Sequence, residues 1–562
     1  MEWNDRHKSL LARVEKLYSR GELTGLWQQI ADNFYPERGD FVVNTKANQT
    51  DYVDHLSTSY PLIVRRDLGD SIGGMLRPRG QQWFVTKTNK DDSQLDSAGR
   101  IFLESATKAQ YRAMYDRIAQ FTKATKQGDH DYAAFGQAVL SLELNLAESS
   151  LLYRNWHLRD VVWWENAIGQ ICGVARKWKT CPADAMRYFR GNVHPEVIKK
   201  FEQDSGKGAY ENCLDFIHIV IKGDEYEYNP SVDSQGFLRP YVSIWMDPKN
   251  KFIMEESPKL TSYYIIPRWQ TVSGSQYATS PAVVAGLPDA RLIQAMTYTL
   301  LRAGEKAVDP PLMAVQEAVQ SDIPMYPGGV TWVDSDYEGK LSEAMQPIQN
   351  DYRALPTALG MHETQMRMIE TAFYINRLSM PPVTHEMTAE EARYRVQQYI
   401  RQALPLFEPI EHEYNAPICE NTFQLLLSVN AFGPRNSMPD SLADQEVEFK
   451  FESPLIEARD QELARTFIDS KALIAEAADI YPAAAKILNA ETALRDALRG
   501  RGAPETWVKG AEEMVQANEA AEEEQEQLRA AQVLAAGGQA GQAVAAGGRE
   551  MQALTQETKD VE

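Results

Sequence analysis

Four cysteines in 562 residues are too few for a disulfide scaffold, and no two of them form a CxxC pair. The first residues lack the basic and apolar segments of a secretion signal, so none is expected, and no stretch approaches the ~18 uninterrupted apolar residues that a membrane-spanning helix needs. Basic residues are in deficit, with 58 Lys and Arg against 79 Asp and Glu, so the formal net charge is -21. We therefore expect a soluble protein of a reducing compartment, the cytosol, that contacts no membrane and does not bind DNA tightly and nonspecifically.

The common signatures of nucleotide and metal chemistry are also missing. Neither Gly-Lys pair, at Gly206 or at Gly339, has the glycine five residues earlier that a P-loop requires. His412 begins an incomplete HExxH motif, because Ala416 occupies the position of the second histidine. The histidines closest to acidic residues, each without a partner three or four residues away, are His7, His130, His385 and His412. The sequence thus predicts no catalytic residue, no cofactor, no metal site and no enzyme activity.

One hydrolase pattern does occur, since Gly69 to Gly73 satisfies GxSxG around Ser71. In an α/β-hydrolase this serine lies on a turn between a strand and a helix. Here the residues on both sides of Ser71 keep a helical apolar period, and no parallel-sheet strand precedes it. We interpret the motif as a patch of small residues where helices pack closely.

The chain changes its periodicity after the first 150 residues, which are mainly helical. Apolar residues recur every three or four positions in four segments up to Ala119, and a further helical run is predicted from Tyr132 to Leu146. Aromatic and β-branched runs then predict strands, with a hairpin across Val161 to Trp178. No helix of crossover length alternates with these strands, so we expect antiparallel pairing. The predicted class is α+β, predominantly α-helical.

Two long helices are predicted around an insertion rich in proline and glycine. The first covers 288–305 and ends before Pro310, and the second covers 352–375. The insertion, 306–349, holds a short strand-like run. Such an arrangement is typical of a helical hairpin that carries an extended arm.

The last third of the chain is predicted to be helical, with an acidic end. Thr388 and Glu391 match the reciprocal N-terminal capping box, so a helix is expected to begin at Thr388. Further helices are predicted from Asn415 to Leu427, Gln461 to Ala478 and Pro482 to Leu498. The tail, 505–562, is acidic and rich in Ala, Gln and Gly. It is expected to be partly disordered in isolation, or to form a helix if identical copies pack side by side.

The order of several short motifs resembles one known family. The stretches that carry this resemblance are Gly73 to Pro78 before Trp83 and Phe84, Phe135 to Leu140, the hairpin from Val161 to Trp178, Pro267 to Trp269, Tyr277 to Pro281, the Pro310-Pro311 pair, and Met387 to Ala392. Together they resemble the head-to-tail connecting, or portal, proteins of short-tailed bacteriophages over most of the chain. None of these motifs is a catalytic signature.

The resemblance implies a portal fold that assembles as a ring, and it assigns each part of this chain to a region of that fold. These are a wing (1–285) of helices and small antiparallel sheets, stem helix 1 (286–305), a clip (306–349), stem helix 2 (350–375), a tunnel loop (376–387), wing return helices (388–460), a crown (461–504), and an acidic tail or helical barrel (505–562). The tunnel-loop candidates are Asn376, Arg377, Leu378, Ser379 and His385.

The same resemblance implies a function and a set of partners. A homo-oligomer, usually a dodecamer, would form the channel for packaging and ejecting double-stranded DNA at one capsid vertex of the virion. It would dock the terminase large subunit and later the tail adaptor or tail proteins, and would contact the major capsid and scaffolding proteins. Assembly would take place in the host cytoplasm. Because the chain lacks a P-loop, the energy for packaging would come from a partner ATPase.

The charge balance fits a channel through which DNA slides. Many Lys and Arg contacts would hold the phosphates, whereas an acidic wall repels the duplex. We predict an acidic lining, with Arg377 and Lys306 as sparse exceptions. A different class remains open, namely a structural virion protein or tail adaptor that conducts no DNA. A hydrolase using Ser71 and an acidic DNA mimic fit the sequence less well, because the first lacks its triad and the second would need dense acid throughout.

Overall fold

The structure is a computed structural model. It describes residues 3–42, 56–89, 97–145, 149–203, 210, 213–228, 231–232, 238–308, 310, 312–314, 345–347, 355–378, 409–434, 438–442, 447–451, 466–475, 493–494 and 497–498. Two compact units are present. The first comprises Met1–Val85, Lys108–Phe432 and Phe449–Ile456, and the second comprises Thr86–Thr107, Gly433–Glu448 and Glu457–Glu562.

Helices dominate both ends of the described chain up to Phe432, and most strands lie between them. The helices are α1 (Asp5–Tyr18), α2 (Gly21–Phe34), α3 (Tyr60–Leu76), α4 (Ser97–Met114), α5 (Phe121–Phe135), α6 (Pro182–Tyr188), α7 (Pro195–Gln203), α8 (Leu287–Val308), α9 (Leu355–Ala372), α10 (Ile375–Leu378) and α11 (Ala416–Ser428). Short 3₁₀ turns occur at Pro36–Arg38, Leu158–Asp160, Gly223–Tyr226 and Asp440–Leu442, and π turns at Ala282–Gly286 and Glu411–Asn415. None of the described helices is both long and apolar enough to cross a membrane.

The strands are short, and the neighbouring strands of the larger sheets pair antiparallel, as the sequence predicted. They are β1 (Phe84–Thr88), β2 (Leu140–Asn145), β3 (Ser150–Asn155), β4 (Val161–Glu165), β5 (Ile171–Thr180), β6 (Leu214–Lys222), β7 (Ser231–Val232), β8 (Leu238–Arg239), β9 (Tyr241–Asp247), β10 (Phe252–Lys259), β11 (Tyr264–Ile265), β12 (Gln270–Thr271), β13 (Ala278–Thr279), β14 (Leu312–Ala314), β15 (Met345–Pro347) and β16 (Val447–Phe451). The largest sheet has the order β10-β9-β6-β5-β4, and a second has the order β11-β2-β3.

One predicted element is wrong. The run from Tyr132 to Leu146 was expected to be a single helix, but α5 ends at Phe135 and Leu140 begins strand β2. Gly136 causes the break, because it adopts a left-handed φ of 74°. A side chain there would also collide with the chain, since a Cβ on Gly136 would lie 2.7 Å from the carbonyl carbon of Thr279.

Helices α3 and α5 pack closely through glycines, as the small-residue interpretation of the GxSxG motif predicts. A Cβ on Gly69 would lie 2.4 Å from Nδ1 of His130, and one on Gly73 would lie 2.9 Å from an oxygen of Asp129. Ser71 lies within α3, on a helix and not on a strand-to-helix turn. The motif therefore serves helix packing in the described structure.

The second unit is described only in part. Leu103 of α4 and Leu442 are both buried and pack together with Phe102 and Met438. Residues 466–475 are helical, inside the helix predicted from Gln461 to Ala478. The helix predicted to begin at Thr388, the strand-like run inside 306–349 and the acidic tail lie outside the described residues.

Candidate functional site

The two long helices form an antiparallel hairpin, and this hairpin is the candidate functional element. The Thr297 hydroxyl of α8 lies 3.0 Å from Nε2 of His362 on α9. One end of the pair is marked by Gly286, where a Cβ would lie 2.9 Å from the Phe373 ring. Thr297 lies eleven residues after Gly286, and His362 lies eleven residues before Phe373. The two segments therefore run in opposite directions, with the same number of residues between the two contacts.

The sequence explains why each helix presents one face to the rest of the chain. Leu287, Ala290 and Ile293 are buried at a spacing of three, and Gln365 and Ile369 are buried at a spacing of four. Pro288 lies at the second position of α8, directly after the π turn Ala282–Gly286. The predicted spans, 288–305 and 352–375, agree with α8 and α9 to within three residues at each end.

Aromatic packing holds the base of the hairpin. The rings of Phe34 and Phe373 are 5.1 Å apart and both are fully buried. Gly286 lies against both rings, since a Cβ at this position would be 2.9 Å from Phe373 and 3.2 Å from Phe34. The base is therefore part of the main core of the first unit.

Polar contacts tie the same end of the hairpin to neighbouring segments. The Gln294 amide accepts from the N–H groups of Ser57 and Thr58, at 2.8 and 3.0 Å. The Tyr60 hydroxyl donates to Glu370 at 2.6 Å. Burial, followed by the contact with Glu370, raises the pKa of Tyr60 above its ordinary value, so the hydroxyl keeps its proton.

Both helices depart from regular α geometry at this base. The chain enters α8 through the π turn Ala282–Gly286, and it leaves α9 through Tyr374, whose φ is 59°. The Tyr374 ring stacks on Trp269 at 6.0 Å, and the Arg377 guanidinium lies 5.4 Å from the centre of the Tyr374 ring. These contacts stabilise a backbone conformation that non-glycine residues rarely adopt.

The described tunnel-loop candidates lie in a helical turn, where a loop was predicted. Asn376, Arg377 and Leu378 belong to α10. The Asn376 side chain donates to the Thr371 hydroxyl at 3.1 Å, Arg377 is exposed, and Leu378 is buried. This turn forms because Tyr374 ends one helix and its carbonyl accepts the N–H of Leu378 in the next turn. Ser379 and His385 lie outside the described residues, and the channel role of all five stays a prediction.

Away from its base, the hairpin exposes large apolar side chains. Tyr298 is 49% exposed, Leu301 55%, Val308 89% and Leu359 49%. Exposed apolar side chains on two packed helices are typical of a surface that another molecule covers.

The hairpin itself is nearly neutral. Across α8, α9 and α10 there are five Lys or Arg residues and four Asp or Glu residues. The predicted acidic lining is therefore not a property of the hairpin as a whole. Lys306, one of the two predicted basic exceptions, lies exposed in the last turn of α8.

The insertion begins with a pair of strands beyond the far end of the hairpin. Leu312 pairs with Pro347, and Ala314 pairs with Met345. This antiparallel pair brings together the two ends of the segment 315–344, which lies outside the described residues. The insertion thus continues from the end of the hairpin opposite the aromatic base.

The other candidate chemistry does not come together in the described part of the chain. His130 lies beside Asp70, with 3.6 Å between Nε2 and Oδ1, and burial followed by Arg65 lowers its pKa. No described hydrogen bond joins His130 to Ser71. Among the described residues, no group of three or more His, Cys, Asp or Glu side chains is arranged to hold a metal ion.

Sequence reasoning missed the residues that anchor the hairpin. Gln294, Tyr60 and Glu370 form contacts between segments far apart in the chain, and no local pattern indicates such contacts. A partial signal was available for Gly286, since a glycine immediately before a long helix often allows a close approach of the backbone.

Comparisons with known proteins place the chain among phage proteins. A family model described as bacteriophage head to tail connecting protein matches residues 7–508. The chain is 22% identical over 474 residues to a probable portal protein of Bordetella phage BPP-1, covering 80% of each chain. It is also 22% identical over 337 residues to the portal protein of Salmonella phage epsilon15, covering 59% of this chain and 58% of the relative. Among solved structures, a chain from the virion of a native gene transfer agent particle matches with a TM-score of 0.31 and 9% identity, over 73% of this chain and 86% of that chain.

Proposed function

We propose how this chain, which belongs to the bacteriophage head to tail connecting protein family, carries out its portal function. Identical copies form a ring at one vertex of the capsid. The ring encloses the channel through which double-stranded DNA enters and leaves the head. It also docks the terminase large subunit during packaging, and the tail adaptor or tail proteins afterwards.

The observation that carries this proposal is that, among the described residues, the α8–α9 hairpin is attached to the core at one end. Its base is tied to the core through Phe34, Gly286 and Phe373. Its far half exposes Tyr298 and Leu301 in the single chain. Neighbouring copies in a ring would cover this apolar surface and so stabilise the assembly.

The regions of the chain then take portal roles. The hairpin acts as the stem, and the insertion that continues from its far end acts as the clip that meets the motor and later the tail. The five-stranded sheet and the helices around it belong to the wing. Residues 376–387 act as the tunnel loop, 461–504 as the crown, and 505–562 as an acidic tail or barrel.

DNA movement depends on weak contact with the channel wall and on energy from a partner ATPase. The chain carries a net charge of -21, while the hairpin carries nearly balanced charge. A wall without a continuous row of basic side chains does not hold the phosphates in place. We propose that acidic residues outside the hairpin supply the rest of the lining.

The test is the mass and shape of the purified protein, measured by native mass spectrometry and negative-stain electron microscopy. Twelve chains of 63.5 kDa would give a ring of roughly 0.76 MDa with closed cyclic symmetry. A ring with an open channel wide enough for a duplex supports the proposal. A small closed oligomer without a channel, under conditions where capsid and scaffolding proteins are also supplied, favours a structural virion protein or tail adaptor that conducts no DNA.

A further inference from the structure

Each helix of the hairpin carries a stripe of exposed, uncharged residues. The α8 stripe consists of Pro288, Leu292, Ala295 and Thr299, and the α9 stripe consists of Met361, Thr364, Met368 and Thr371. All eight residues are exposed. Their spacings of three and four are those of a seam at which helices pack.

The threonines of these stripes present methyl groups to the outside. The hydroxyl of Thr299 donates to the Ala295 carbonyl at 2.9 Å. Those of Thr364 and Thr371 donate to the carbonyls four residues earlier, both at 2.8 Å. Because the hydroxyls are bonded to their own helix, the outward surface of both stripes is largely apolar.

Neither stripe faces the partner helix within the hairpin. At about 100° per residue, the centre of the α8 stripe lies roughly 170° around its helix from Thr297, and the centre of the α9 stripe lies roughly 140° around its helix from His362. Thr297 and His362 are the residues that contact each other across the hairpin. The two stripes of one chain therefore cannot pack against each other.

The stripes are nevertheless matched in height along the hairpin. Ala295 is two residues before Thr297, and Thr364 is two residues after His362, the pair that bond across the hairpin. Three further pairs lie at the same height along the hairpin, namely Pro288 with Thr371, Leu292 with Met368, and Thr299 with Met361. Each of these pairs is matched to within one residue, or about 1.5 Å along the helix axis.

We propose that the α9 stripe of one copy packs against the α8 stripe of the next copy in the ring. This inference rests on the proposed ring. Copies in a closed ring are related by rotation without translation along the axis. For a hairpin that runs along this axis, residues at one height in a chain therefore meet at the same height between chains. The long side chains of Met361 and Met368 then lie against Thr299 and Leu292.

A second copy fits these stripes better than DNA does. A duplex presents phosphates, which proteins bind through Lys, Arg and polar donors. The stripes contain no charged residue, and their threonine hydroxyls are already bonded. An apolar surface of this kind is stabilised by burial against another apolar surface.

Disulfide cross-linking tests the register. The matched pairs are Ala295→Cys with Thr364→Cys, and Leu292→Cys with Met368→Cys, each in a Cys213→Ser background because Cys213 is exposed while the other three cysteines are buried. The control pair, Leu292→Cys with Met361→Cys, uses the same stripes but is out of register by about 10 Å. That offset exceeds the reach of a disulfide, whose Cβ atoms are ~3.8 Å apart.

Mild oxidation should convert most of the monomer band of both matched pairs into a ladder of multiples of 63.5 kDa on a non-reducing gel. The control pair and the single-cysteine variants should lose less than a tenth as much monomer. Rings seen by microscopy without this difference would overturn the register while the portal ring stands. Absence of rings from the unsubstituted protein under assembly conditions would overturn the portal ring and the register together.

Discussion

Arg77 and Asp129 form an ion pair in the core of the first unit, and each side chain is only 3% exposed. Arg77 also donates to Asn415 at 2.6 Å and lies 4.5 Å from the centre of the Tyr414 ring. This set of contacts joins α3, α5 and the π turn Glu411–Asn415. It therefore fixes three segments that no local sequence pattern brings together.

Replacing Asp129 with Asn should destabilise the protein strongly. The variant leaves the Arg77 charge buried without its partner, which typically costs about 3–5 kcal/mol of unfolding free energy. Equilibrium urea unfolding, followed by tryptophan fluorescence, measures this change. The control is Lys126→Ala, which removes an exposed pair with Asp70 and should change stability by less than ~1 kcal/mol. Equal losses for the two variants would contradict the prediction.

A second residue-scale feature is the hydrogen-bond chain through His218. Arg176 donates to the Tyr264 hydroxyl at 2.8 Å, which lies 2.7 Å from Nδ1 of His218, while Nε2 lies 2.9 Å from the Ser243 hydroxyl. Burial raises the pKa of Tyr264 to about 12, so this hydroxyl keeps its proton. The bonding pattern assigns a neutral His218 that donates from Nε2 to Ser243.

The neutral state of His218 predicts a loss of stability in mild acid. Burial, followed by Arg176, lowers its pKa well below the ordinary value of 6.5. Between the folded-state pKa and 6.5 the unfolded chain binds more protons, so the free energy of unfolding falls as the pH drops below about 6.5. Urea unfolding at pH 7.5 and pH 5.5 measures this slope. His218→Gln should flatten it, and an unchanged slope in this variant would assign the acid sensitivity to other groups.

At the scale of elements, the helical hairpin was predictable and its base was not. Apolar spacing and the flanking prolines delimit α8 and α9 to within three residues at each end. The π turn before α8 and the left-handed Tyr374 after α9 depend on packing against Phe34 and Trp269. The helix end at Gly136 was not predictable for the same reason. The contact that requires a glycine there is with Thr279, which is more than a hundred residues away in the sequence.

Gly286, in the π turn before α8, and Gly304, within α8, provide a matched pair of tests on this segment. Gly286→Ala should destabilise the protein, since its Cβ would lie 2.9 Å from Phe373 and 3.2 Å from Phe34. Overpacking of this kind typically costs about 1–3 kcal/mol. Gly304→Ala meets nothing within 4 Å and should stabilise α8 by about 0.5–1 kcal/mol. Thermal unfolding distinguishes the two outcomes, and a stabilising Gly286→Ala would show that the base is not closely packed.

At the scale of the whole molecule, charge is divided unevenly along the chain. The segment from Glu505 to Glu562 contains twelve acidic and four basic residues, whereas the hairpin is nearly neutral. Like charges brought together by the copies of the proposed ring repel one another, and this repulsion opposes assembly. The apolar stripes of the hairpin are therefore expected to supply the attraction that closes the ring.

Removal of the acidic segment should leave ring formation intact. A chain that ends at Pro504 keeps the hairpin, its base and both stripes, and it loses the residues whose mutual repulsion opposes assembly. We expect native mass spectrometry to give the same number of subunits as the full chain, with assembly less sensitive to low salt because unscreened repulsion is weaker. Met361→Glu in the full chain is the opposing control, since it places a charge in the α9 stripe and should prevent ring closure. A truncated chain that stays monomeric where the full chain forms rings would show that the acidic segment itself holds the copies together.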